Sequence, residues 1–375
     1  IETLEDKGQT FTSPHVSMDD LSLLQFTSGT TGLPKGAMLT HGSQLFKSAA
    51  ATMVYKIDAT DVMLTAMPMY HIAGMLFGLT TPLYAGSTAT IMTRFETEAM
   101  AAAISTFRCS KMYGTVSMNA AMMQLPNLAS YDLTSMRTTL ATSFGLALTQ
   151  EIADAWRNVT QGGLMVEAAY GLSETHTFDT FSPLDKPRIG SVGIPNMGTD
   201  ISIVDFDNPK RELPPGEVGE ITVKGPALFK GYWGRDDATC ESLRDGCLYT
   251  GDMGKFDEDG YLYFVGRKKE MIKASGFAIA PEEVENFLMR HPAVKEAACI
   301  PIPDSTRGES VKAFVTLKPD HVGKISENDL IEWSKDKMAA YKYPRVIEFR
   351  SDIPKTLTGK ILRRVLKEEE DAVRQ

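Results

Sequence analysis

An α/β fold is what the sequence predicts: a large N-terminal portion with mostly parallel sheets and a β-rich subdomain, then a small mobile α+β unit at the C-terminus. Three observations carry this expectation. Up to about residue 190, strand-like apolar runs alternate with helical ones, the pattern of parallel strands joined by helical crossovers. From Gly190 the texture changes to short runs separated by Gly, Pro and Asp turn signals, as in a sheet built from hairpins. A basic, glycine-bearing stretch, Gly266 to Gly276, then separates the run YLYFV from APEEVE, where Pro281 and the glutamates after it mark a helix start.

Taken in order, LSLLQFT reads as the first strand, because its apolar residues end at a Gly- and Thr-rich segment, and Gly42 to Val54 reads as a helix. VMLTAM, the apolar stretch after His71, TATIMT and the alanine-rich run Thr97 to Phe107 continue the alternation. ISIVDFD, EITVKG and YLYFVG supply β-rich runs, with NPKRELPPGE and DEDG as turns between them. Beyond Pro281 the pattern gives a helix, strands Glu296 to Ile302 and Val311 to Leu317, a helix Glu327 to Tyr341 and a last basic helix. The polar loops and modest apolar content of this unit suggest that it docks loosely on the rest.

Composition sets limits on function. At 375 residues, with 43% hydrophobic and 23% charged, the chain is long enough for two domains and a sizeable core. A net charge of −9 argues against a nucleic-acid partner, since nothing offers a basic stripe to neutralise a duplex, and anionic ligands must be met locally. Cys109, Cys240, Cys247 and Cys299 match neither a metal-ligand spacing nor a disulfide framework, so reduced thiols and a cytoplasmic location are expected. There is no run of ~18 apolar residues and no signal-peptide pattern, so no transmembrane segment is expected. No internal repeat is present.

The loudest chemical signal is Thr27 to Gly36, TSGTTGLPKG, with four hydroxyls, three glycines and a lysine directly after an apolar run. Glycines let backbone approach an anion, N–H groups and hydroxyls donate to phosphate oxygens, and Lys35 adds charge. A Walker A loop would place Lys followed by Ser or Thr after its second glycine, whereas here Pro34, Lys35 and Gly36 follow one another, so this is a different phosphate loop for a nucleoside triphosphate. Further along come YGLSE (Tyr170 to Glu174), YTGD (Tyr249 to Asp252), GRKKEMIKASGFAIAPEEVE (Gly266 to Glu285) and PKTLTGK (Pro354 to Lys360).

Those five ordered blocks resemble the adenylate-forming, AMP-binding enzymes, and most of all their acyl-CoA synthetases. The resemblance implies an ATP-dependent carboxylate–CoA ligase that forms acyl-AMP and pyrophosphate, then acyl-CoA and AMP, using ATP, Mg²⁺ and CoA. It implies a large AMP-binding domain over residues 1–268 and a small C-terminal one over 269–375, with the hinge near Lys269. Members of that family carry a long segment ahead of the phosphate loop, so the chain is expected to lack part of the large domain. A carboxylic acid is the implied small-molecule partner, and a homodimer is entertained.

Carried onto this sequence, the resemblance gives Thr27, Ser28, Gly29, Thr30, Thr31, Gly32 and Lys35 to the phosphates, with Thr27 and Glu174 on the metal. Ala168, Ala169, Tyr170, Gly171 and Ser173 would face the adenine and its surroundings; Tyr170 offers a flat face and Ser173 keeps the hydroxyl where many relatives have threonine. Asp252 would accept both ribose hydroxyls, with Arg267 and Lys273 as further nucleotide contacts. Lys360 would be the adenylation lysine, and Ser275 and Gly276 would meet CoA. His71 is either a gate between ATP and acyl sites or a core histidine. Tyr113 to Met118, Ser143 to Leu148 and Val166 to Ala169 should line the acyl pocket, where Met112, Met118 and Met165 form an adaptable wall or simply fill core. Alternatives are an adenylating enzyme that loads a carrier protein, a luciferase-like oxygenase, or a non-catalytic nucleotide-binding remnant.

Overall fold

The computed structural model describes residues 12–27, 34–144, 146–356 and 359–374. Its centre is a five-stranded parallel sheet in the order Thr88–Ile91, Val62–Thr65, Lys111–Thr115, Thr138–Thr142 and Leu164–Glu167. Helices Thr97–Phe107, Val116–Met123 and Gln150–Val159 connect these strands. Successive strand residues are apolar because both faces are covered. Met63, Tyr113, Leu140 and Val166 pack in one cluster with Tyr55, Phe77 and Phe178, while Leu64, Met112, Ala141 and Met165 pack in another with Met100, Ile104 and Trp156.

The first strand departs from the expected alternation. Leu21–Thr27 lies outside the parallel sheet and pairs antiparallel with Lys35–Thr40, a strand that its Lys-Gly start concealed. Thr27 therefore sits opposite Lys35, so the two ends of the TSGTTGLPK segment meet across an antiparallel strand pair, whereas a Walker loop runs from a strand into a helix. Thr40 ends the hairpin and caps the helix His41–Val54, its hydroxyl accepting from Ser43 N–H at 3.1 Å.

The second sheet is antiparallel: Asp200–Val204, Gly219–Lys224, Cys247–Phe256 and Leu243–Arg244 in order, with Leu262–Arg267 added beside Cys247–Phe256. YTGD lies inside the longest of these strands. Gly251 has φ of +71° there, the register against Gly219–Lys224 slips, and the resulting bulge re-aims the next side chain, Asp252.

The third sheet holds Phe277–Ile279, Ile272–Ala274, Gly308–Leu317 and Val294–Asp304, with Val346–Phe349 parallel to Gly308–Leu317. Its core joins Ile272, Val284, Leu288, Ala313, Val315 and Leu330. The basic stretch Gly266 to Gly276 is largely structured: one 3-10 turn, Lys268–Glu270, and then a tight hairpin with Ser275 and Gly276 at its tip. The helix from Glu327 stops at Lys335 rather than running to Tyr341, because Tyr341 leaves it to stack on Phe277 with ring centroids 4.1 Å apart. The last helix, Arg363–Arg374, is mixed in charge rather than basic, and Glu370 pairs with the buried Lys312.

Among the described residues, no helix is long and apolar enough to cross a membrane. Cys109, Cys240, Cys247 and Cys299 are all free thiols.

Candidate active site

A cleft of about 1610 Å³ opens at the C-terminal ends of the parallel strands and is flanked by the antiparallel sheet and by the C-terminal unit. That position is where open α/β sheets bind ligands, and the volume exceeds what a single small ligand needs. Its lining includes Thr27, Lys35, His71, Ala168, Ala169, Tyr170, Gly171, Ser173, Glu174, Asp252, Arg267, Lys269 and Lys360. Ser28, Gly29, Thr30, Thr31 and Gly32 lie outside the described residues.

Asp252 and Arg267 face each other as a cross-strand pair in the antiparallel sheet, so the register itself brings them together. Arg267 Nε lies 3.1 Å from Asp252 Oδ1, and Tyr170 Oη donates to Asp252 Oδ2 at 2.9 Å. Asp252 is 3% exposed, and its Oδ1 accepts no hydrogen bond from the described residues. A buried acceptor in that condition fits a ligand bearing hydroxyl donors. Burial pushes the Asp252 carboxyl up, and Arg267 opposes that shift. The Tyr170 ring stacks on Phe264 with centroids 6.2 Å apart, which fixes the plane it presents.

Glu174 is carried on a 3-10 turn, Ser173–Thr175, and the backbone after it is unusual: His176, Thr177 and Phe178 have φ of 56°, 56° and 58°. Three non-glycine residues in the left-handed region cost on the order of 1 kcal/mol each or more, so the surroundings must hold them. Lys47, fully buried, does so by donating to the Phe178 carbonyl at 2.9 Å and to Asp179 Oδ1 at 2.8 Å, while Thr175 Oγ1 donates to Asp179 Oδ2. Gly171 lies so close to this turn that a Cβ there would stand 2.4 Å from Phe178 N.

His176 is buried in the same place, and neither ring nitrogen has a hydrogen-bond partner among the described residues. Burial, with the Lys47 charge second, pushes its imidazole down to about 3 from an ordinary 6.5. The unfolded chain therefore takes up a proton as pH falls below 6.5 while the folded chain does not until about 3, so stability falls with pH across that window. At pH 5 the loss amounts to about 2 kcal/mol, and His176→Asn, which tolerates the left-handed conformation, should remove it. Urea unfolding at pH 7 and pH 5 checks this; an unchanged difference between the two pH values in the variant would refute it.

Tyr232 was not foreseen. Its hydroxyl donates to Glu174 Oε1 at 2.5 Å, and Lys35 Nζ lies 4.3 Å over the same ring. One side chain thus ties Lys35 to the buried Glu174 carboxylate. The sequence signal was GYWG, an aromatic pair framed by glycines, with no charge to draw notice. Glu167 was missed as well, since its segment was read only as apolar wall; it lines the cleft beside Ser143.

His71 occupies the cleft wall edge-on to Phe144 with centroids 6.2 Å apart, and its Nδ1 has no hydrogen bond. Burial lowers its basicity, with the positive charge of Lys360 second, so Lys360 reaches this side of the cleft. Lys360 itself is lowered by burial and by Arg267, while Glu270 and Asp252 oppose the shift. A short turn presents it: Lys360 N–H donates to Thr356 Oγ1 at 3.1 Å, and Thr356 N–H to the Lys360 carbonyl at 2.8 Å.

Three expected residues are not brought to the cleft. Lys273 alternates with Ile272 and Ala274, which face the core, so its side chain points out to solvent. Ser275 and Gly276 form the hairpin tip, where φ of 54° and 81° make the turn. Of the methionines, Met112 and Met165 are core rather than pocket wall, and Val166 packs in the opposite cluster. Tyr113, Ser143, Phe144, Leu146, Ala147, Leu148, Ala168 and Ala169 do line the cleft.

Magnesium can be tested against these residues. Among the described residues no group of three or more His, Cys, Asp or Glu could hold a metal ion. Glu174, with one oxygen engaged by Tyr232, offers a single hard oxygen donor, as suits an ion held mostly by the phosphates of its nucleotide.

The sequence matches the AMP-binding enzyme family over residues 2–233 and the AMP-binding enzyme C-terminal domain over residues 283–360. It is 38% identical over 374 residues to a long-chain-fatty-acid–CoA ligase of Bacillus subtilis (strain 168), covering 98% of this chain and 65% of that one. A feruloyl-CoA synthase of Amycolatopsis sp is 37% identical over 354 residues, covering 93% of this chain and 70% of that protein. Among solved structures, ATP-bound MatB from Rhodopseudomonas palustris superposes with a TM-score of 0.86 at 29% identity, covering 98% and 71% of the two chains. The anthranilate CoA ligase AuaEII with anthranoyl-AMP gives 0.85 at 29% identity, covering 96% and 69%. The chain thus spans just under two thirds of the length of the Bacillus relative.

Proposed function

Because this chain belongs to the AMP-binding enzyme family, we propose that it works as an ATP-dependent carboxylate–CoA ligase. The observation that carries the reading is the convergence on one cleft of Lys360, from near the C-terminus, with Glu174 and the Tyr170–Asp252–Arg267 group. In the first step a carboxylate oxygen of the acid attacks the α-phosphorus of ATP, and the bond from that phosphorus to the β-phosphate bridging oxygen breaks, releasing pyrophosphate. In the second step the thiol of CoA attacks the acyl carbon, AMP leaves with the bond electrons, and the thiol proton passes to solvent.

Each residue has a task. Asp252 Oδ1 accepts ribose hydroxyls, and Tyr170, with Ala168, Ala169, Gly171 and Ser173, borders the base. Lys35 and Thr27, at the two ends of the loop, meet phosphate oxygens with Ser28 to Gly32 between them. Glu174 would hold Mg²⁺, which neutralises phosphate charge when bound. Lys360 supplies positive charge where carboxylate and α-phosphate oxygens approach. We place the boundary between residues 1–268 and 269–375, with Lys269 as the hinge; its exposed 3.8 Å contact with Glu241 is weak enough to break on rotation. Rotation would exchange Lys360 for the Ser275–Gly276 tip, which lies outside the cleft in the orientation described. Free thiols throughout agree with a cytoplasmic setting.

Acid-dependent exchange of labelled pyrophosphate into ATP tests the reading, because only reversible acyl-adenylate formation produces it; no exchange with any acid, in folded protein that binds ATP, would refute it. Tyr232→Phe keeps the ring under Lys35 and removes the hydroxyl on Glu174. Its expected effect is a rise of about 5-fold to 10-fold in Kd for MgATP, about the net worth of one hydrogen bond, with KM for the acid unchanged. Calorimetric titration with MgATP would show it, and an unaltered Kd would exclude Tyr232 from positioning Glu174.

A further inference from the structure

Glu167 ends its strand on the wall of the cleft, and none of the steps above uses it. Among the described residues its carboxyl accepts from Ser143 alone: the backbone N–H reaches Oε1 at 3.0 Å, and the Ser143 hydroxyl donates to Oε2. Ser143 Oγ in turn accepts from Leu148 N–H at 3.0 Å, so the loop and the carboxyl hold each other in one orientation. Each carboxylate oxygen can accept twice, which leaves both Glu167 oxygens with unused capacity. Among the described residues no cation acts on it: burial and the Ser143 bonds are the influences on its ionisation, and burial pushes it up to about 7.

The wall around this carboxyl is aromatic. Phe77 and Tyr113 pack with centroids 4.7 Å apart, Tyr113 Oη meets Thr142 Oγ1 at 3.3 Å, and Phe144 stands edge-on to His71. A flat ring fits such surfaces better than a flexible chain does. A carboxyl left facing plain hydrocarbon loses its water without replacement, which costs free energy, whereas a donor on the ligand would fill its open acceptor sites.

We propose, resting on the ligase reading above, that the acid activated here is a hydroxylated aromatic acid whose hydroxyl donates to Glu167, making Glu167 a specificity-determining residue of the acyl pocket.

The test compares pyrophosphate exchange for paired acids that differ only in that hydroxyl, 4-hydroxycinnamic against cinnamic acid, with octanoic acid beside them. Wild type should favour the hydroxylated acid by about 10-fold or more in kcat/KM, since an unfilled polar site discriminates strongly. Glu167→Leu should lower exchange with the hydroxylated acid and raise it with cinnamic acid about 5-fold, bringing the ratio to near one; Glu167→Gln, which keeps size and an acceptor oxygen, should fall between. If Glu167 merely pins the Ser143 loop, Glu167→Leu will depress both acids alike and the ratio will stay put, which overturns the proposal. Equal or better use of cinnamic or octanoic acid by wild type overturns it too, and leaves the ligase reading standing. Exchange with no acid at all would instead strike the ligase reading, and this one with it.

Discussion

Lys360→Ala should lower acyl-adenylate formation by roughly 10²-fold to 10³-fold, the usual cost of removing one preorganised charge from a transition state. The charge is preorganised here because the Thr356–Lys360 turn is closed at both ends and the side chain enters a cleft already holding Arg267 and Asp252. Burial and Arg267 pull its ammonium down, but Glu270 and Asp252 act against that pull, so it enters the cleft with carboxylates near enough to support the charged form. The thioester step, if the hinge at Lys269 moves Lys360 away first, does not depend on it. Pyrophosphate exchange should therefore collapse in the variant, while CoA-dependent release of AMP from supplied acyl-AMP stays within about 3-fold of wild type. Equal loss of both half-reactions would end this division of labour.

Lys47→Ala should be the most destabilising single change near the site, by about 3–5 kcal/mol, because it strands the Asp179 carboxylate in a fully buried position. Burial alone drives the Lys47 ammonium down and the Asp179 carboxyl up; each is the other's main compensation. The same lysine holds the Phe178 carbonyl, the last of the three left-handed residues behind Glu174, so its loss also frees the turn that aims that carboxylate. Lys47→Met combined with Asp179→Leu removes both charges and should recover much of the stability but not the adenylation rate. Urea midpoints for the single and double variants decide the matter: a single variant within about 1 kcal/mol of wild type would show that the buried pair is not what holds the turn.

Local chemistry was readable in the chain. TSGTTGLPKG stood out by composition and sends its Thr27 and Lys35 to the cleft, and YGLSE, YTGD and PKTLTGK supply further residues that the fold delivers there: Tyr170 and Glu174, Asp252, and Lys360. The parallel sheet was legible because strands covered on both faces must be continuously apolar, as Met112–Tyr113 and Met165–Val166 are. Where the reading failed, a partner distant in sequence made the choice. Lys35–Thr40 is a strand because Leu21–Thr27 lies beside it, Asp252 is aimed by a bulge whose register depends on Gly219–Lys224, and Lys273 turns outward because its neighbours face the core.

The sequence by itself determined the fold class, most of the elements and the functional groups that each motif carries, since hydrophobic period, turn residues and functional groups are properties of short segments. Only the tertiary structure decided which groups meet: Tyr232 on Glu174, Lys47 on Asp179, Arg267 opposite Asp252, and Glu167 under Ser143. Such pairings join positions up to 132 residues apart, and their energies arise from burial and strand register, quantities that no short segment possesses before the chain has closed on itself.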